Sequence, residues 1–107
     1  MIFVNMTPFT VNLVGHEPLK PCDAPATCAP VYNTVAMSSG VSINVLVFNT
    51  VYNLPEPQPG VIYIVTDDVR MARSDRCDLA SLLTPRYGGK TFDFVGYESL
   101  LINRWQE

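Results

Sequence analysis

The chain has 107 residues, 48% of them hydrophobic and 16% charged, with a formal net charge of −3. That length supports one core without metals or disulfides, so a single β-rich domain over residues 1–107 is expected, and the composition excludes a disordered chain. Seven scattered Lys and Arg residues make no basic field for a phosphate backbone, which argues against a nucleic-acid partner.

No apolar run approaches the roughly 18 residues of a membrane span. The opening MIFVNMTPFT has no basic region, apolar stretch or cleavage site. A soluble, cytosolic protein without a membrane partner is expected. Cys22, Cys28 and Cys77 are an odd set in such a chain, so reduced thiols are the default, although a Cys22–Cys28 bridge stays open. Their spacing matches no common zinc pattern and only His16 lies nearby, so neither a metal nor a cofactor is expected.

In chain order, Ile2 to Asn5 reads as a short strand closed by Thr7-Pro8, and Phe9 to Val14 alternates with Phe9, Val11 and Leu13 on one face. Residues 15–30 hold four prolines, each removing a donor and restraining its predecessor, and are expected to form a surface loop. Val31 to Met37 and Val41 to Tyr52 flank Ser38-Ser39-Gly40, a hairpin with a three-residue connection. The aliphatic face Val41, Ile43, Val45, Val47 and Val51 is expected to point into the core, with a bulge near Asn49. Pro55, Pro57 and Pro59 make a stiff connector. Val61 to Val65 is apolar on both faces, as a central strand covered on each side would be. Thr66 is placed to cap a short helix, and Leu79, Leu82 and Leu83 suggest further helical turns over Ser74 to Leu83. Gly88-Gly89 turns the chain into Thr91 to Tyr97 and Ser99 to Asn103, with a bend at Gly96. The expected architecture is a mainly β (β-rich α+β), single-domain antiparallel sandwich or small barrel with one or two short helices.

The one concentration of charge is Asp67 to Asp78, DDVRMARSDRCD. Helix caps and exposed ion pairs account for all of it. Anion binding comes second, because paired guanidinium forks suit carboxylate or phosphate, and a metal on Asp67 and Asp68 or on Asp75 and Asp78 comes third, since the arginines compete for those oxygens. Gly88-Gly89-Lys90-Thr91 lacks the first glycine of a phosphate loop. His16, the single histidine, gives no nucleophilic device.

Asn5-Met6-Thr7-Pro8, Leu54-Pro55-Glu56-Pro57 with Gly60, Ile62-Tyr63-Ile64-Val65 and Arg73-Ser74-Asp75 occur in that order. In this the chain resembles a family of small, functionally uncharacterised phage and bacterial proteins carrying N-L-T-P-H, L-P-x-P-x-x-G-x-x-Y-I-V-S and R-x-D. The similarity covers residues 5 to 85. It implies a phage or prophage origin and no activity. Phe9 stands where the family has histidine and Thr66 where it has serine, the segment from Asp75 to Pro85 is longer, and the aromatic tail from Thr91 to Trp105 is particular to this chain.

These readings lead to the expectation of a non-enzymatic phage accessory protein in the host cytoplasm that binds and neutralises a host component such as a defence system. The expected binding set is Arg70, Arg73, Asp75 and Arg76 on exposed loop and helix ends, flanked by residues 15–30. The alternatives are a nucleotide-type small-molecule sponge using Arg70 and Arg73 with Tyr63 or Tyr97, aided by a homo-oligomer; a hydrolase built on Asp67, Asp68, Asp75 and Asp78; and a virion component.

Overall fold

The computed structural model describes residues 1–105. Its elements are β1 (Ile2–Asn5), β2 (Thr27–Ser38), β3 (Val41–Tyr52), β4 (Val61–Ile64), α1 (Asp67–Ala72), β5 (Leu79–Gly88) and β6 (Asp93–Ile102). They form a four-stranded sheet in the order β1-β4-β5-β6 and a two-stranded sheet of β2 with β3. The protein is mainly β, as the patterning predicts, but no barrel closes. The larger sheet is mixed: β1 and β5 both run parallel to β4, and only β5 and β6 are antiparallel.

The doubly apolar run becomes the inner strand β4, as its composition predicts. Tyr63 and Val65 face one side, with Met6, Ala26, Val69 and Leu79 in a cluster that helix α1 and the base of the β2–β3 hairpin cover. Ile64 faces the other side, with Val11 and Leu13, where the segment after β1 crosses the sheet. That segment makes isolated bridges, Val11 to Leu19 and Leu13 to Tyr97, in place of the expected strand, and Phe9 is exposed.

Two helical and loop expectations fail for the same reason. Leu79, Ala80 and Ser81, expected in a helix, are almost fully buried in β5, because the peptide groups around them pair with β4: Tyr63 N–H donates to Asp78 O at 2.8 Å and Val65 N–H to Ala80 O at 2.8 Å. Leucines at this spacing fit either element, and the neighbouring strand decides. The proline-rich stretch is likewise no pure surface loop. Cys22 N–H donates to Thr7 O at 2.9 Å, Ala26 is buried, and Thr27 to Pro30 already belong to β2. Cys22 and Cys28 are not joined.

The largest departure is the β2–β3 hairpin. Its turn is tighter than expected, closed by Ser39 and Gly40, both with positive φ, between paired Ser38 and Val41. The bulge expected near Asn49 falls at Val47, where Val31 pairs with Phe48 and Tyr32 with Leu46. The aliphatic face does not enter the core: Val41, Ile43, Val45 and Val47 are all exposed, and only the base, at Cys28 and Val51, packs on the body. A radius of gyration of 17.3 Å, against about 13 Å for a compact chain of this length, reflects the projecting arm.

Candidate functional site

Helix α1 follows Thr66, which occupies the N-cap position as predicted but makes no side-chain cap bond: its hydroxyl turns to the Asp68 carboxylate, whose Oδ1 accepts the Val69 N–H at 2.9 Å. The arginines that follow are each engaged within the chain. Arg70, expected at the surface, has its side chain 13% exposed: Nε donates to Ser81 Oγ at 2.9 Å, Nη1 to Asn103 Oδ1 at 3.1 Å, and Nη2 lies 3.5 Å from Asp67. Arg73 forks onto both Asp75 oxygens at 3.0 and 2.9 Å, an exposed pair. That pairing raises the Arg73 guanidinium above its ordinary range and holds the Asp75 carboxyl below the usual carboxylate range. Arg76 makes the same two-residue fork to Asp78, both bonds 2.7 Å, and donates a further bond to Pro55 O at 2.9 Å. It is buried, and the Asp78 hydrogen bond holds its guanidinium above the ordinary range. Arg70, Arg73, Asp75 and Arg76 therefore all follow β4, with the forks of Arg73 and Arg76 occupied by Asp75 and Asp78 and that of Arg70 by Ser81 and Asn103.

The Asn5–Pro8, Leu54–Pro57 and Arg73–Asp75 segments are held by the same kind of contact. Asn5 is a buried clamp: Oδ1 accepts the Thr7 N–H at 2.9 Å and the Thr7 hydroxyl at 2.6 Å, while Nδ2 donates to the carbonyls of Phe9, Leu19 and Lys20 at 2.9 to 3.2 Å. The N-x-T-P motif thus fastens the proline-rich segment to the end of β1. The L-P-E-P connector is held by Arg76 on Pro55 O and by the Tyr63 hydroxyl donating to Glu56 O at 3.1 Å. The R-x-D motif is the Arg73–Asp75 fork.

Asn103 is missed by sequence reading. Its Nδ2 donates to the carbonyls of Arg70, Arg73 and Arg76 at 3.0 to 3.2 Å, which closes the end of α1 and the loop beyond it. No local pattern marks an asparagine thirty residues away as a helix cap.

Tyr63 and Tyr97, proposed partners for a ligand, belong to the two different core clusters, and Tyr63 is 3% exposed. Among the described residues no group of three or more His, Cys, Asp or Glu side chains could hold a metal ion, and no helix is long and apolar enough to cross a membrane.

Besides the β2–β3 arm, a groove and an aromatic tip are open to solvent. A groove of about 580 Å³ runs beneath the starts of β4 and β5, between Pro57, Gly60, Asp75, Arg76, Asp78 and Trp105. At the opposite end of β5 and β6, Tyr87, Phe94 and Tyr97 stack edge to face, with centroids 5.9 and 5.2 Å apart. Phe92, at φ 52°, is 76% exposed beside them, and Arg86, Lys90 and Asp93 form an exposed charged border. Set against family models, curated proteins and solved structures, the chain matches none.

Proposed function

We propose that the protein is a non-enzymatic accessory protein, of phage or prophage origin, that acts in the host cytoplasm by binding a host protein and occupying it. The observation that supports this reading is the β5–β6 tip. A rigid aromatic ladder with an exposed Phe92, bordered by both signs of charge, has the composition of an interface hot spot and of its polar rim. The tip also lies in the part of the chain that departs from the resembled family, as a surface fitted to one target would. Affinity purification from the natural host, followed by reconstitution of the recovered partner with purified protein, tests it. Tyr87→Ala and Phe94→Ala each weaken that complex at least tenfold with the fold intact; unchanged affinity in both variants refutes the site.

The groove supports a second reading, capture of a nucleotide-type small molecule. Its volume lies in the range of ligand pockets, and Asp75 and Arg76, two of the four residues expected to bind, line it next to Trp105. Thermal shift against a nucleotide panel decides it, since ligand at 100 times its Kd adds about 2.7 kcal/mol.

A further inference from the structure

Residues 24–55 contain no Asp, Glu, Lys, Arg or His. They include the whole of β2 and β3, so the arm that projects from the body is uncharged from base to tip. Eleven of its large apolar side chains are exposed, among them Tyr32, Met37, Val41, Ile43, Leu46 and Phe48. They lie on both faces of the ribbon: Ile43 and Val45 on one, and Met37, Leu46 and Tyr32 on the other, as the register requires.

We propose that this hairpin is a self-association arm, and that what covers it is the same arm of a second copy of the chain, packed against it about a two-fold axis. Three observations favour a second copy. The first is area. Summed over its two faces, the exposed apolar surface of the arm is on the order of 1,000 Å², against the few hundred of a monomer's largest patch and the roughly 800 Å² that each partner supplies to a standard interface.

The second is charge. A different protein partner is selected by complementary charge at the rim, and this arm offers none. Two copies of a chain of net charge −3 repel elsewhere, but nothing on the arm opposes their contact. It contrasts with the β5–β6 tip, where Arg86, Lys90 and Asp93 surround the aromatics.

The third is the state of the edges. Among the described residues β2 and β3 pair only with each other, so each leaves an outer edge that no other described strand covers. β2 is interrupted by Pro30 and by the bulge at Val35, whereas β3 is continuous from Val41 to Leu46. An uncharged, unpaired edge of this length invites open-ended addition, and closure about a two-fold axis ends it. The projection of the arm away from the body leaves room for that approach. This inference does not depend on the host-partner reading, which uses the other hairpin.

The test is the mass of the full chain by light scattering over a range of concentrations, without lipid. The expected result is a mass at least twice the 11.9 kDa of the chain, with the double variant Ile43→Glu, Leu46→Lys, one substitution on each face, returning it to a single copy of unchanged far-UV circular dichroism. In the wild type, amide exchange over Val41–Leu46 slows as concentration rises, a readout that holds even if a variant fails to fold. A single-copy mass at every concentration, or concentration-independent exchange in that segment, overturns the proposal. So does a monomer that binds neutral phosphatidylcholine vesicles through Ile43 and Leu46, which would assign the arm to lipid. Unchanged host-partner affinity in Tyr87→Ala and Phe94→Ala, with the assembly intact, would leave this inference standing and refute the reading of the tip.

Discussion

Gly96 lies so close to the Asn12 backbone that a Cβ on it would stand 2.9 Å from the Asn12 carbonyl oxygen. The approach exists because the segment after β1 is bonded to the edge of β6, with Tyr97 N–H donating to Asn12 O at 2.8 Å and Val14 N–H to Tyr97 O at 2.9 Å. Gly96→Ala pushes on backbone, which cannot rotate away. The expected cost is about 1–3 kcal/mol, read from the urea midpoint, with amide exchange of Val14 and Tyr97 accelerating first. An alanine variant as stable as the wild type would show that the crossing segment is not fixed to β6.

Asn5→Ala removes a buried amide that serves five groups at once. The Thr7 N–H and the Lys20 carbonyl lose their Asn5 bonds, while Phe9 O keeps the Thr7 hydroxyl and Leu19 O the Val11 N–H, and a buried group left unsatisfied costs about 1–3 kcal/mol. Proteolysis within residues 15–25 is expected to rise before global unfolding, because the clamp holds that segment to β1. Equal cleavage rates in the variant and the wild type would contradict the clamp.

Arg76 and Arg73 make the same two-residue fork, yet they should respond very differently to removal. Arg76→Ala strands the Asp78 carboxylate, whose side chain is 14% exposed, and releases Pro55 O, so about 3 kcal/mol is expected. Arg73→Ala breaks a pair whose side chains are 41% and 64% exposed, and should leave the denaturation midpoint nearly unchanged. Equal midpoints for the two variants would mean that burial does not separate them.

Asp75 carries the pH prediction. Arg73 hydrogen bonds hold its carboxyl below the usual range, so whatever the charged form contributes is present above the unfolded value of about 3.9 and is lost as pH falls through the lower folded value. A carboxyl titration by NMR should give a midpoint below about 3.9 for Asp75, returning toward it in Arg73→Ala. A wild-type midpoint at or above the unfolded value would show that the fork does not persist in solution.

Ile64 is fully buried on the inner strand, against Val11 and Leu13 of the crossing segment. Ile64→Ala should cost about 2–5 kcal/mol by thermal or chemical unfolding, whereas the exposed Ile43→Ala should cost far less in the isolated monomer. If the two variants unfold alike, the assignment of β4 to the core and β3 to the arm is wrong.

The sequence by itself determined the strands whose signals are local. Val61–Ile64 is apolar on both faces, and an inner strand is the place where both faces are covered. Ser38-Ser39-Gly40 between two alternating runs was legible as a hairpin connection, although Ser38 proves to be paired, and the Asp67–Asp78 stretch was legible as helix start and ion pairs because its partners are two or three residues apart. What the tertiary structure decided is which apolar faces meet anything. The aliphatic face of Val41 to Val47 has the pattern of a core strand and is exposed, because period-two alternation records that a face is apolar and not what covers it. Leu79 to Ser81 became strand because β4 supplies donors and acceptors that no helical spacing reveals. Arg70 left the surface for Ser81 and Asn103, and Asn103 became the cap of a helix thirty residues earlier, since bonds between distant segments exist only once the sheet has brought those segments together.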